Sequence, residues 1–262
     1  MSGKLTIPLG PTWSGFEFIA VHKRKTGYKI SFVCRYWSGK FRTLKTSQAE
    51  TAEEIIQKIQ ERIAKRFRKL FPNGYEPTFH PKRLKEPYSV PKSFRSRNPH
   101  LPKGSAMIFT VSMGDLFGNW VPAKWIEAVI KVAEDNPHHV FQFLTKNPSR
   151  YREFRFSKNC WIGTTVTSYK DQDRILNLPR WEENGRTLNF VSFEPLLGKV
   201  HLEGWIWGYI DWVIIGAQTN PYRPPKPDWV KYIVEMARDA GVPVFLKDNL
   251  RSEKIQEFPK RC

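Results

Sequence analysis

In the C-terminal two-thirds of this 262-residue chain, polar side chains follow directly behind six short apolar runs. Behind residues 106–111 come Ser112 and Asp115, with Thr110 inside the run. Behind residues 140–144 come Thr145, Lys146 and Asn147, and residues 161–166 bring Thr164, Thr165 and Thr167. Behind residues 188–191 come Ser192, Glu194 and Pro195, behind residues 212–215 come Gln218, Thr219 and Asn220, and behind residues 242–246 come Lys247, Asp248 and Asn249. Ser, Thr, Asp and Asn are favoured helix caps wherever a strand hands over to a helix, so any one of them can be read that way. Lys146, Glu194, Gln218 and Lys247 are not preferred caps, and this points to a ligand pocket. In such a pocket Glu194 supplies an acid, a base or a ribose-binding carboxylate, while Lys146 and Lys247 contact an anion. Asp115, Lys146, Glu194 and Lys247 are the catalytic candidates. Ser112, Thr145, Thr165, Ser192, Gln218, Asn220 and Asn249 are the substrate-binding candidates. A second chemistry uses Asp115, Glu194 and Asp248 as oxygen ligands for Mg²⁺ that activates water at a phosphodiester.

To converge, these groups need one parallel sheet. The runs are continuous rather than alternating, which means strands covered on both faces, and their starts recur at the length of βαβ units. Helices are expected over residues 122–135, after Pro148, over residues 170–177 and over residues 227–240, the last opening on Pro227 and closing at Gly241. The fold class is therefore α/β, a parallel (β/α) partial or closed TIM-like barrel over residues 105–262, with chemistry at the carboxyl ends of the strands.

Residues 1–72 read differently. Residues 16–46 alternate with period two, broken at Lys25-Thr26-Gly27 and Ser38-Gly39-Lys40, and predict two hairpins or a three-stranded meander. Ser47 and Glu50 then form a capping box ahead of a helix to Leu70. Seven prolines between residues 72 and 102 make residues 73–104 a connector.

Charge separates the two parts. The chain carries a net +18, and residues 1–100 hold 21 of its 43 basic but only 7 of its 25 acidic residues. Clustered cations of this kind are the footprint of a polyanion binder. Lys29, Arg35, Lys40, Arg42, Arg62, Arg66 and Lys69 are the candidate contacts to DNA or RNA, with Tyr28, Phe32, Tyr36 and Trp37 as stacking partners. No apolar stretch is long enough for a membrane span, so the expected location is cytoplasmic and no membrane partner is expected. Cys34, Cys160 and Cys262 are too few and too scattered for a disulfide framework or a four-cysteine zinc site. His138-His139 is expected at the surface on the opposite end of the sheet from the pocket. Trp205, Trp207 and Trp212 are expected as core or cover.

The segments VSMGDLF (111–117), FLTKNP (143–148), IGTTV (162–166), VSFEPLLG (191–198), IDWVIIGAQTNP (210–221) and GVPVFLKDN (241–249), preceded by YEPTFHPKRL (75–84), occur in a recognisable order. Together they resemble the phage-associated three-cysteine-motif family, a branch of the radical-SAM barrel superfamily. That resemblance implies an iron-sulfur cluster on three thiolates with S-adenosylmethionine on its open iron, and a cofactor pocket lined by Asp115, Lys146, Glu194 and Gln218. In TGYKISFVCRYW (26–37), however, the cluster cysteines would stand where Tyr28, Cys34 and Trp37 stand, and Cys34 alone remains as a remnant. The cluster, S-adenosylmethionine and radical chemistry are therefore not expected. The strand-and-helix pattern of residues 16–70 also resembles the arm-type DNA-binding domains of phage integrases.

The expectation is thus a nucleic-acid-binding protein, processing DNA or RNA, whose radical-SAM-like barrel has lost its cluster. The alternatives are a metal-dependent phosphodiester hydrolase, a radical-SAM-like enzyme with atypical cluster binding, and a non-catalytic scaffold.

Overall fold

The computed structural model describes residues 77–111, 114–179, 187–219, 221–252 and 254–260, together with the backbone of four N-terminal strands. The chain separates into two units, residues 1–78 and residues 79–262. In the first, β1 (Leu5–Ile7), β2 (Phe16–Arg24), β3 (Gly27–Cys34) and β4 (Trp37–Lys40) form an antiparallel sheet in chain order. Over residues 16–46 the three strands β2, β3 and β4 form the expected meander, and β1 adds a fourth strand ahead of it. The segment Ser38-Gly39-Lys40, expected as a turn, lies in β4 opposite Ser31, Phe32 and Val33. β4 is an edge strand, where glycine and lysine are tolerated because one side of the ladder is free. The expected helix over residues 47–70 lies outside the described residues.

In the second unit six strands run parallel: β5 (Met107–Phe109), β6 (Val140–Thr145), β7 (Cys160–Thr165), β8 (Leu188–Phe193), β9 (Trp212–Ile215) and β12 (Val244–Leu246). They are ordered β5-β6-β7-β8-β9-β12 and curl into a half-barrel. A small hairpin, β10 (Gln218–Thr219) with β11 (Tyr222–Arg223), stands after β9.

Continuous apolar runs serve two cores here, because successive side chains point to opposite faces of the sheet. On the face covered by helices, Phe141, Phe143, Ile162, Val191, Phe193, Val213 and Ile215 pack with Ile126, Ile130 and Ala133 of α1 (Ala123–Asp135) and Ile233, Val234 and Ala237 of α2 (Pro227–Asp239). On the other, concave face Val140, Trp161, Leu188, Phe190 and Trp212 form a separate cluster with Met107, Leu144, Ile214 and Phe245. Trp207 and Trp212 are thus buried, whereas Trp205 is exposed.

Helix ends follow the local chemistry. α2 starts on Pro227 with Asp228 in its first turn, and stops where Gly241 adopts φ +70°. The Gly241 N–H donates to Arg238 O and the Val242 N–H to Ala237 O, the paired bonds of a Schellman cap. α1 ends against Asn159, whose amide donates to the carbonyls of Ala133, Asn136 and His139. The segments after Pro148 and over Tyr169–Asn177 form tight 3-10 turns rather than α-helix. The second of these is closed by a capping box between Ser168 and Asp171. Among its described residues the proline-rich stretch holds two short 3-10 turns, Pro81–Lys85 and Pro87–Ser89.

One expectation is corrected. His139 is buried rather than on the surface: its Nδ1 accepts from the Ala106 N–H and its Nε2 contacts the Pro87 carbonyl. A side chain at the amino end of β6 thereby ties the connector to the barrel. Burial holds its imidazole below the ordinary histidine pKa, and His138 alongside acts in the same direction.

Candidate functional site at the carboxyl rim of the half-barrel

The carboxyl ends of all six parallel strands lie along one rim, so the polar residues singled out in the sequence belong to one side of the sheet. The structure sorts them into two clusters and a set of supports. Ser112 and Asn220 lie outside the described residues, as do Arg35, Arg42, Arg62, Arg66, Lys69 and the side chains of Lys29, Lys40, Tyr28, Phe32, Tyr36, Trp37 and Cys34.

The first cluster joins β5 to β6. One oxygen of Asp115 accepts from Thr145 Oγ1 at 2.6 Å and from the Phe117 N–H at 3.1 Å, and the other accepts from the Lys146 N–H at 2.9 Å. Thr145 Oγ1 accepts in turn from the Asn147 N–H, and the Asn147 amide donates to Phe117 O and Asn119 Oδ1. The guanidinium of Arg150 completes the clamp by donating to the carbonyls of Gly118 and Val121. Both carboxylate oxygens of Asp115 are engaged in holding this loop, so Asp115 is a positioning group rather than a free acid or base. The Lys146 side chain is exposed, and its ammonium has no partner among the described residues.

The second cluster joins β8 to β12. Glu194 Oε2 accepts from Lys247 Nζ at 2.7 Å, with side-chain exposures of 25% and 44%. Strand β9 lies between these two strands. The carboxylate spans it by lying across Gly216: a Cβ there would stand 2.8 Å from both Cδ and Oε1 of Glu194. Gly216 is the site residue that the sequence reading missed. Its signal, a glycine between an apolar strand and a polar loop, is too common to single it out.

The remaining candidates are supports. Asn249 exchanges two hydrogen bonds with the backbone of Ala217, and Asp248 accepts from the Gln256 amide. Thr165 and Ser192 are buried, and their carbonyls accept from Arg174 and from the Val166 N–H. Gln218 pairs with Arg223 in the β10–β11 hairpin.

Exposed aromatic residues decorate the same rim: Trp120 (65% exposed) in the loop after β5, Tyr169 (62%) after β7 and Tyr222 (40%) after β9. None belongs to the periodic apolar runs that predicted the strands.

An iron-sulfur cluster requires several thiolates. Cys160 opens β7 at the opposite end of the sheet, is buried, and has its thiol pushed up to about 11 by burial. Cys160 is the one cysteine among the described residues whose side chain is placed, and by itself it does not fit such a cluster. Nor do Asp115, Glu194 and Asp248 assemble a metal site: among the described residues no group of three His, Cys, Asp or Glu could hold a metal ion.

A family model described as a protein of unknown function, DUF5131, matches residues 33–258. The chain belongs to this family. The match spans the whole half-barrel and both rim clusters. No curated protein and no solved structure matches the chain. Among the described residues no helix is long and apolar enough to cross a membrane.

Proposed function

We propose that this protein binds nucleic acid, DNA or RNA, with the carboxyl rim of its half-barrel facing the substrate. One observation carries the reading: an excess of 18 positive charges, 14 of them within residues 1–100, where the basic module supplies phosphate contacts. On the rim, Lys146, Lys170, Lys199 and Arg223 are exposed and none has a partner among the described residues. Unpaired surface cations have no existing ion pair to give up on binding, and each phosphate they neutralise releases condensed counterions. Within this reading the Glu194–Lys247 pair is the candidate reacting centre. Its carboxylate and ammonium supply an acid-base pair on the concave face, with Lys146 as a further anion contact.

Kinship with three-cysteine-motif, radical-SAM-like barrels is part of the proposal, supported by the ordered motifs and by six parallel strands in chain order. A closed, TIM-like relation would need further strands. The Mg²⁺-dependent hydrolase gains no support from the geometry, because among the described residues Asp115, Glu194 and Asp248 do not gather into one group that could hold a metal ion.

The test is fluorescence anisotropy with labelled DNA and RNA across a salt series. Affinity should fall linearly on logarithmic axes, by a slope of about 0.7 to 0.9 for each phosphate neutralised. Lys146→Ala should lower that slope by roughly one such unit. Absent or salt-independent binding would overturn the proposal.

A further inference from the structure

We infer that the carboxyl rim binds an unpaired nucleic-acid strand by stacking its bases on Trp120 and Tyr222. This deepens the proposed function and rests on it.

Two rings are held as platforms by the chain's own residues. Trp120 lies against the backbone of Gly118 so closely that a Cβ on that glycine would fall 2.4 Å from its ring. The loop beneath is fixed by Arg150 on the Gly118 and Val121 carbonyls and by Asn147 on Asn119. One side of the indole is therefore packed down while 65% of the residue is open to solvent. On the opposite flank of the sheet the guanidinium of Arg251 sits 4.5 Å from the centre of the Tyr222 ring, and Arg251 holds the left-handed backbone (φ 55°) that this position needs. Rings fixed in advance lose little freedom when a partner stacks on them. An exposed ring whose position is already fixed offers its free face for stacking.

Charge decides the occupant. Each ring has a cation on its own or an adjoining loop: Lys146 beside the Trp120 loop, and Arg223 and Arg251 around Tyr222. Between them Tyr169 and Lys170 stand on a segment bonded to residues 197–199, which add Leu197 and Lys199. Alternating rings and cations match a strand whose bases are free to stack and whose phosphates are accessible. A duplex keeps its bases stacked on one another and presents no free face. From β5 to β12 the rim crosses five inter-strand gaps, roughly 24 Å at ~4.8 Å each. This corresponds to about seven nucleotides at the ~3.4 Å spacing of a stacked strand.

The experiment compares labelled oligo(dT), oligo(rU) and a DNA duplex, all longer than this span, on the intact chain. Trp120→Ala and Tyr222→Ala should each weaken single-strand binding by roughly 5- to 100-fold, leave duplex binding unchanged and leave the salt slope unchanged. Trp120→Phe should restore most of the loss, since it returns a ring without a cation. Unfolding midpoints of the variants establish that the fold is kept. Equal affinity for single strand and duplex, or equal losses on both, overturns base stacking while leaving nucleic-acid binding intact. Binding to neither at low salt overturns the proposed function itself.

Discussion

Gly216→Ala offers a test whose sign, not only its size, is set by the structure. Gly216 lies directly after β9 and its φ is outside the left-handed region, so an alanine meets no backbone strain. By itself the change should stabilise the fold by about 0.4–1 kcal/mol through the unfolded chain. The added Cβ, however, would stand 2.8 Å from Cδ and Oε1 of Glu194 and 2.9 Å from Cγ. Ordinary contacts lie near 3.5–4.0 Å, so the carboxylate must retreat by about 1 Å. A shift of that size away from Lys247 takes the 2.7 Å contact beyond hydrogen-bonding range. Because the obstructing atoms belong to a flexible, 25% exposed side chain, the move costs about 1 kcal/mol, the low end for overpacking, and the loss of a partly exposed ion pair adds about 0.5 kcal/mol after solvent screening. The net expectation is destabilisation by about 0.5–1 kcal/mol, or roughly 1–4 °C in Tm. In a Glu194→Ala background the obstacle is gone, and the same substitution should become neutral or stabilising. Urea and thermal unfolding of the four proteins of this cycle measure the coupling. Equal effects of Gly216→Ala in both backgrounds would refute the claim that Gly216 exists to let Glu194 reach across β9.

Two further outcomes follow from buried groups. Tyr151 is wholly buried and its hydroxyl lies 2.9 Å from Phe143 O and 2.8 Å from Gly163 O, so Tyr151→Phe should cost about 1–3 kcal/mol in chemical denaturation; an unchanged midpoint would show that the hydroxyl staples nothing. His139 has its folded pKa depressed by burial, so the stability it contributes is present above its ordinary pKa near 6.5 and is lost as pH falls through the lower folded value. Unfolding midpoints recorded down from neutral pH should therefore drop more steeply in the native protein than in His139→Gln, and parallel curves would exclude this linkage.

The sequence by itself determined the six parallel strands of the second unit to within a few residues, and two of its four expected helices. The run 212–215 is apolar on every residue and 140–144 on all but Gln142, which only a sheet covered on both faces rewards, and Pro227 and Gly241 bracket α2 through backbone chemistry alone. It also placed the polar residues on one rim, because in a parallel sheet everything that follows a strand emerges at the same end. Tertiary structure decided what those residues do. Asp115 reads as a catalytic carboxylate in one dimension and becomes a loop clamp once Thr145, Phe117 and Lys146 close around it, while Glu194 and Lys247, 53 positions apart, meet only because Gly216 leaves the intervening strand bare. Periodicity reports which face a residue occupies. Which atoms lie within 3 Å of one another depends on strand order and on the side chains that are missing, and neither leaves a periodic trace.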